Sequence, residues 1–130
     1  MKNIFILFTL MLASLFLFAQ AGESDKVLMK PALLVIDVQK QFLPVMSKED
    51  QDKTLEMMKW SIWLFRQYGL PVIRIYHTSE KWGPKPGESG FEFHDSLKIE
   101  QSDPKVIKTY ASSFNMTELN NLLKEICVSC

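Results

Sequence analysis

An α/β fold built on parallel strands is predicted by three stretches of this 130-residue chain. Leu33 to Ile36 are four consecutive apolar residues ending in two β-branched ones. They are too short for a helix and do not alternate, which is how a strand buried on both faces reads. From about Asp50 to Tyr68, Leu55, Met58, Ile62 and Phe65 recur at spacings of three and four, the period of a helix. Leu70 to Tyr76 is a second strand, entered through Pro71 where a missing backbone donor is tolerated. Strand, helix and strand within about 45 residues make a right-handed parallel crossover that sets the two strands side by side.

The chain begins with a segment that does not belong to this fold. Lys2 supplies a positive start, Ile4 to Phe18 an apolar core interrupted by Thr9 and Ser14, and Ala19-Gln20-Ala21 a small-x-small cleavage site. These are the parts of a secretory signal peptide spanning residues 1–21. A retained anchor is the alternative, but the apolar core falls short of the roughly 20 residues that span a bilayer. The expectation is therefore an exported protein, periplasmic or secreted from a bacterium, with no stable membrane anchor after cleavage. Residues 22–130 are enough for one small domain. Their net charge is −1, since cleavage removes one base, Lys2, and no acid. That balance, without a basic cluster, gives no footprint for nucleic acid or an anionic membrane.

Asp37 sits at the carboxyl end of the first strand, where open α/β sheets bind ligands. On position alone it reads equally well as a solvated acid in the loop that follows. Gln39 to Pro44 is that loop, and Pro44 delays the helix. Trp60, Trp63 and Leu64 widen the helix's apolar side, so the helix is expected to be largely buried or docked, with Met57, Met58 and the tryptophans in the core. Gly69 is placed as its carboxyl-terminal cap. His77 ends the second strand on the same rim as Asp37. It can touch a substrate or hydrogen-bond the loop after it, and the residues alone favour the latter.

Thr78 to Pro104 carries Pro84, Pro86, Gly83, Gly87 and Gly90 without sustained periodicity, a long loop of the kind that tends to be functional. Phe91, Phe93, His94 and Leu97 can pin it down or line a pocket. Glu92, His94 and Asp95 have metal-ligand chemistry, but nothing in the sequence brings His77 to them, and no metal is assigned. Asp103 to Lys108 is a turn into a short extended segment. Asn115 and Glu118 form a capping box for a helix carrying Met116, Leu119, Leu122 and Leu123 and ending near Glu125. Ile126-Cys127-Val128 reads as the start of another buried strand. Cys127 and Cys130 have Cys-x-x-Cys spacing but lie at the chain end without a second pair, a weak signal for redox or metal chemistry.

Three pieces in order, Leu33-Leu-Val-Ile-Asp37-Val-Gln-Lys-Gln-Phe42, Pro71-Val-Ile-Arg-Ile-Tyr-His77 and Asp103-Pro-Lys-Val-Ile-Lys108-Thr-Tyr-Ala-Ser-Ser-Phe114, resemble the isochorismatase-like cysteine hydrolases, the superfamily that includes nicotinamidases. The likeness runs from Pro31 to about Ile126. It implies an α/β three-layer sandwich with a parallel, Rossmann-like sheet, of which this chain supplies the first half to two-thirds. It also implies hydrolysis of an amide or related C–N bond of a small molecule by a cysteine thiolate. In that scheme Asp37 carries the proton and Lys108 is the charge that favours the thiolate, since an adjacent ammonium lowers a thiol's pKa.

The resemblance also shows a departure. The family's nucleophile follows a further strand and a glycine-containing turn, in a segment like Gly-x-x-x-x-x-Cys-Val, and this sequence ends where that strand is due. The nucleophile is therefore not carried onto Cys127 or Cys130, and the sheet is expected to have an open apolar edge. The rival reading is a truncated, inert chain lacking the nucleophile, at most a binding or interaction protein. Metal-binding members use an acid-and-histidine cluster, and no Asp-x-His match lies between His77 and His94, so no cofactor is expected. Homo-oligomerisation is left open.

Overall fold

The computed structural model describes residues 30–127. The segment read as a signal peptide, together with Val128 and Cys130, lies outside the described residues. Strands β1 (Leu33–Ile36), β2 (Val72–His77) and β3 (Lys105–Lys108) form one parallel sheet in the order β1-β2-β3. Helix α1 (Lys48–Gln67) connects β1 to β2, and helix α2 (Leu119–Cys127) follows β3. Each helix covers one face of the sheet, which gives the three layers.

Side-chain alternation along each strand sorts the core into two halves. On the α1 side, Val35, Val72 and Tyr76 pack with Leu55 and Ile62 of the helix and with Phe91, Phe93 and Leu97 of the long loop. On the α2 side, Ile73, Ile75 and Val106 pack with Leu119, flanked by the half-buried Leu34, Leu122, Leu123 and Ile126. The expectation that β1 is buried on both faces holds for one face only: Val35 is 5% exposed, whereas Ile36 is 42% exposed. β1 is one of the two edge strands of the described sheet, and α2 covers that end of it incompletely.

Helix α1 starts two residues earlier than its apolar period suggests. Ser47 is its amino-terminal cap, accepting from the Asp50 backbone N–H at 3.2 Å and donating its hydroxyl to the Asp50 carboxylate at 2.6 Å. Gly69, at φ 61°, ends the helix as expected, in a conformation that glycine adopts without strain. The burial expected of this helix is corrected. Leu55 and Ile62 face the sheet, but Met57, Trp60, Trp63 and Leu64 are all exposed. A 20-residue helix over three short strands can bury only one stripe, and the remaining apolar residues face outward.

The long loop is pinned by aromatic stacking. Tyr76 lies between Phe91 and Phe93, with ring centroids 4.8 and 4.3 Å away and nearly parallel planes. Lys105 sets its ammonium 4.7 Å above the Tyr76 ring. The loop's return to β3 is held by Asp103, whose Oδ2 accepts from Arg66 at 2.7 Å and from the Glu100 N–H at 2.8 Å. Helix α2 departs from the capping box expected at Asn115 and Glu118. Met116 takes φ 53°, the Thr117 hydroxyl donates to the Ser113 carbonyl, and the first helical bond runs from Leu122 N–H to Glu118 C=O. These local side-chain bonds compete with the helix and delay its start to Leu119. Ile126 and Cys127, expected to open a strand, are instead the last residues of α2.

Candidate active site

The carboxyl ends of the three strands meet on one rim. Register places His77 opposite Lys108 and Ile36 opposite Ile75. In a parallel pair such partners share a face, so His77 and Lys108 both lie on the α2 side, in line with Ile75 and Val106. Alternation would send Asp37 to the opposite face, with Leu33 and Val35. Its backbone prevents this: Asp37 takes φ 57° while its N–H still pairs with the Ile75 carbonyl at 3.0 Å. Aspartate tolerates this left-handed conformation better than most residues, at a cost of about 1 kcal/mol. The turn brings Asp37 Oδ2 to 2.8 Å from Lys108 Nζ. The two acid–base residues singled out in the sequence, 71 positions apart, are thus an ion pair.

The Lys108 side chain is 4% exposed, and its ammonium also donates to the Ala111 carbonyl at 3.1 Å. A charge so withdrawn from water needs such partners. Asp37 is 36% exposed at its side chain, and its second oxygen, Oδ1, is buried with no hydrogen-bond partner among the described residues. One carboxylate oxygen is therefore engaged by the lysine and the other is unengaged.

Gln39 is the site residue that sequence reasoning passed over, although it stands two residues after Asp37 in the quoted motif. It is fully buried. Its Nε2 donates to the His77 carbonyl at 3.0 Å, and its Oε1 accepts from the His77 N–H at 2.6 Å. This pair of hydrogen bonds to the backbone of one residue fastens the loop after β1 to the end of β2. The Thr78 N–H in turn donates to the Lys108 carbonyl at 2.9 Å, which ties in the end of β3. Beyond His77 the chain folds tightly back, and a Cβ at Gly83 would lie 2.5 Å from the Ser79 nitrogen.

The reading in which the His77 ring hydrogen-bonds the following loop is corrected. Its Nδ1 is buried without a partner among the described residues, and the ring leans on Phe42 with centroids 6.1 Å apart. The backbone of His77, held by Gln39, is what anchors the segment. Glu92, His94 and Asp95 do not converge. His94 Nδ1 lies 2.9 Å from the Ser96 hydroxyl, and Asp95 pairs with Lys40 at 2.6 Å, whose hydrogen bond and charge hold the exposed carboxyl below its ordinary 3.8. Among the described residues no three His, Cys, Asp or Glu side chains form a group that could hold a metal. A hollow of about 410 Å³ is lined by Lys40, Arg74, Tyr76 and Glu92, and another of about 300 Å³ by Trp60, Trp63 and Lys98. Neither is lined by Asp37, His77 or Lys108.

Comparison with known proteins bears on the family and the fold. The Isochorismatase domain profile matches residues 31–129. In Bacillus subtilis (strain 168) the chain is 30% identical over 102 residues to the uncharacterized isochorismatase family protein YddQ, covering 75% of this chain and 57% of that protein. It is 34% identical over 105 residues to a second such protein, YrdC, covering 73% and 52%. Among solved structures, the N-carbamoylsarcosine amidase from Thermoplasma acidophilum superposes with a TM-score of 0.65 at 28% identity, over 75% of this chain and 62% of that one. The chain spans about half the length of the curated relatives it matches. A parallel sheet whose rim pairs an aspartate with a buried lysine, and a profile match over nearly all the described residues, place this chain in the isochorismatase family.

Proposed function

We propose that the chain carries part of the active site of a hydrolase that cleaves an amide or related carbon–nitrogen bond of a small molecule. The observation that carries this reading is the Asp37–Lys108 pair, in which one carboxylate oxygen is held by the ammonium and the other is free. The amidase activity named for the Thermoplasma acidophilum neighbour supports the same class of bond. In the chemistry implied by the family resemblance, a cysteine thiol gives its proton to Asp37 Oδ1 and the thiolate attacks the carbonyl carbon. Lys108 stabilises the anion so formed. The carbon–nitrogen bond breaks as Asp37 returns the proton to the leaving nitrogen, which leaves a thioester. Water then adds to the thioester carbon, giving its proton to Asp37. The carbon–sulfur bond breaks, and the proton passes from Asp37 back to the departing thiolate. Neither Cys127 nor Cys130 is assigned as the nucleophile.

The test is hydrolysis of a panel of carboxamides and ureides by the purified full-length protein and by its Asp37→Ala and Lys108→Ala variants. Turnover by the parent and near-complete loss in both folded variants is the expected result. No turnover of any member by the parent, or parent rates in both variants, sinks the reading; ligand binding without turnover would mark a binding protein. We also propose export, from the signal-like segment of residues 1–21. Mass spectrometry of the mature protein should find Gly22 at the amino terminus, and an intact Met1 overturns that.

A further inference from the structure

Among the described residues, two polar atoms at this rim are buried and unpartnered, Asp37 Oδ1 and His77 Nδ1. They stand at the ends of adjacent strands, one bonded through its own carboxylate to Lys108 and the other opposite Lys108 in register. A buried polar atom left without a partner is costly, and natural sites leave one mainly where a ligand completes it. The His77 backbone is meanwhile fixed at both its N–H and its C=O by a fully buried glutamine. Its ring rests against Phe42. The imidazole is therefore held in place with a free nitrogen, which is preorganisation without an internal use.

The two atoms also define what they can take. A carboxylate oxygen only accepts, whereas an imidazole nitrogen donates or accepts according to its tautomer. A group with an N–H beside a C=O satisfies both, the N–H going to Asp37 and the remaining atom to His77. A carboxylate offers no donor and meets like charge at Asp37. We infer that His77 is a substrate-orienting residue of this site, and that with Asp37 it takes a carboxamide or ureido group in preference to a carboxylate. The inference rests on the hydrolytic reading above and deepens it: the group that is cleaved is the group that is held, and the carboxylate left by amide cleavage is released.

The experiment follows the imidazole ¹⁵N resonances of the full-length protein during titration with propionamide and, separately, propionate. The chain contains two histidines, so a His94→Gln variant assigns the signals. Propionamide should move the His77 ring resonances saturably and propionate should not. His77→Leu should weaken propionamide binding about tenfold, the worth of one hydrogen bond, while melting at or above the parent temperature because an unpartnered polar atom has gone. His77→Asn, which returns a polar nitrogen or oxygen near the Nδ1 position, should restore most of the affinity. Unchanged affinity in His77→Leu, joint loss of affinity and stability there, equal binding of propionate, or no response of the ring to propionamide each overturns the inference. Loss of turnover in Asp37→Ala with unchanged kcat and KM in His77→Leu overturns it alone. Parent turnover in Asp37→Ala removes the hydrolytic reading beneath it.

Discussion

Two charged clusters stand on this sheet, each built on an almost fully buried group, and they differ in backbone strain and in where on the sheet they stand. Around Asp103, 6% exposed, Arg66 and the Glu100 N–H converge on one carboxylate oxygen, and Arg74 donates to the Asp103 and Gln101 carbonyls at 2.9 and 3.1 Å. The cluster ties α1, β2 and the approach to β3 together. Around Lys108, 4% exposed, the ammonium is satisfied while Asp37 Oδ1 and His77 Nδ1 are not, and Asp37 sits in a left-handed conformation. Burial and ion pairing are common to both. The Asp103 cluster leaves a buried polar atom unpartnered as well, Arg66 Nε. Backbone strain at Asp37 and the position at the strand rim separate the site from the strut.

The sharpest way to break this comparison is to exchange the expected consequences of mutation. Asp37→Asn should lower hydrolytic turnover by roughly 10³-fold, as loss of a proton carrier does, and should also lower the urea midpoint of unfolding, since the buried Lys108 keeps an acceptor but loses its counter-charge. A fall in stability with turnover kept near the parent rate would make Asp37 a strut like Asp103. Asp103→Ala should cost about 3 kcal/mol of unfolding free energy, because Arg66 and the Glu100 N–H lose their acceptor. Stability within about 0.5 kcal/mol of the parent would show that the cluster holds nothing.

A smaller effect is expected at high pH. Burial raises the Tyr76 hydroxyl above its ordinary 10.0, with Arg74 opposing and Glu92 adding to the shift. Above pH 10.0 the unfolded chain loses this proton before the folded one, so stability is full below that value and falls as pH rises through the folded pKa. Tyr76→Phe should flatten that alkaline decline in thermal melts. The smallest effect lies at Lys40. In Lys40→Met the Asp95 carboxyl should titrate closer to 3.8 by NMR, with no change in melting, since the pair is on the surface.

Much of the fold was legible because it depends on local patterns. The apolar runs at Leu33 and Val72, the period of α1 and the cap at Gly69 are short-range signals, and the crossover rule joins them. Asp37 and Lys108 were legible as candidates through the order of motifs and the rule that sheets bind at their carboxyl ends. What was illegible depends on contacts remote in sequence. The apolar width of α1 does not say which stripe meets three short strands, so Trp60 and Trp63 were assigned inward. Gln39 acts on a peptide 38 residues away, and nothing near it in the chain announces that bond. At α2 a capping box was present, but Thr117 and Met116 offered the backbone a competing arrangement. The swing of Asp37 toward Lys108 rests on one positive φ, which strand alternation argues against.

The outward tryptophans have a practical meaning for anyone who studies this protein. Trp60, Trp63 and Trp82, all the tryptophans in the chain, are 61%, 52% and 84% exposed in the folded state. Indole emission should therefore scarcely move when the domain unfolds, and a fluorescence melt would understate its cooperativity. The same signal, silent toward folding, is a built-in sensor for whatever lands on the outer side of α1, where Trp60 and Trp63 meet edge to face at 5.7 Å.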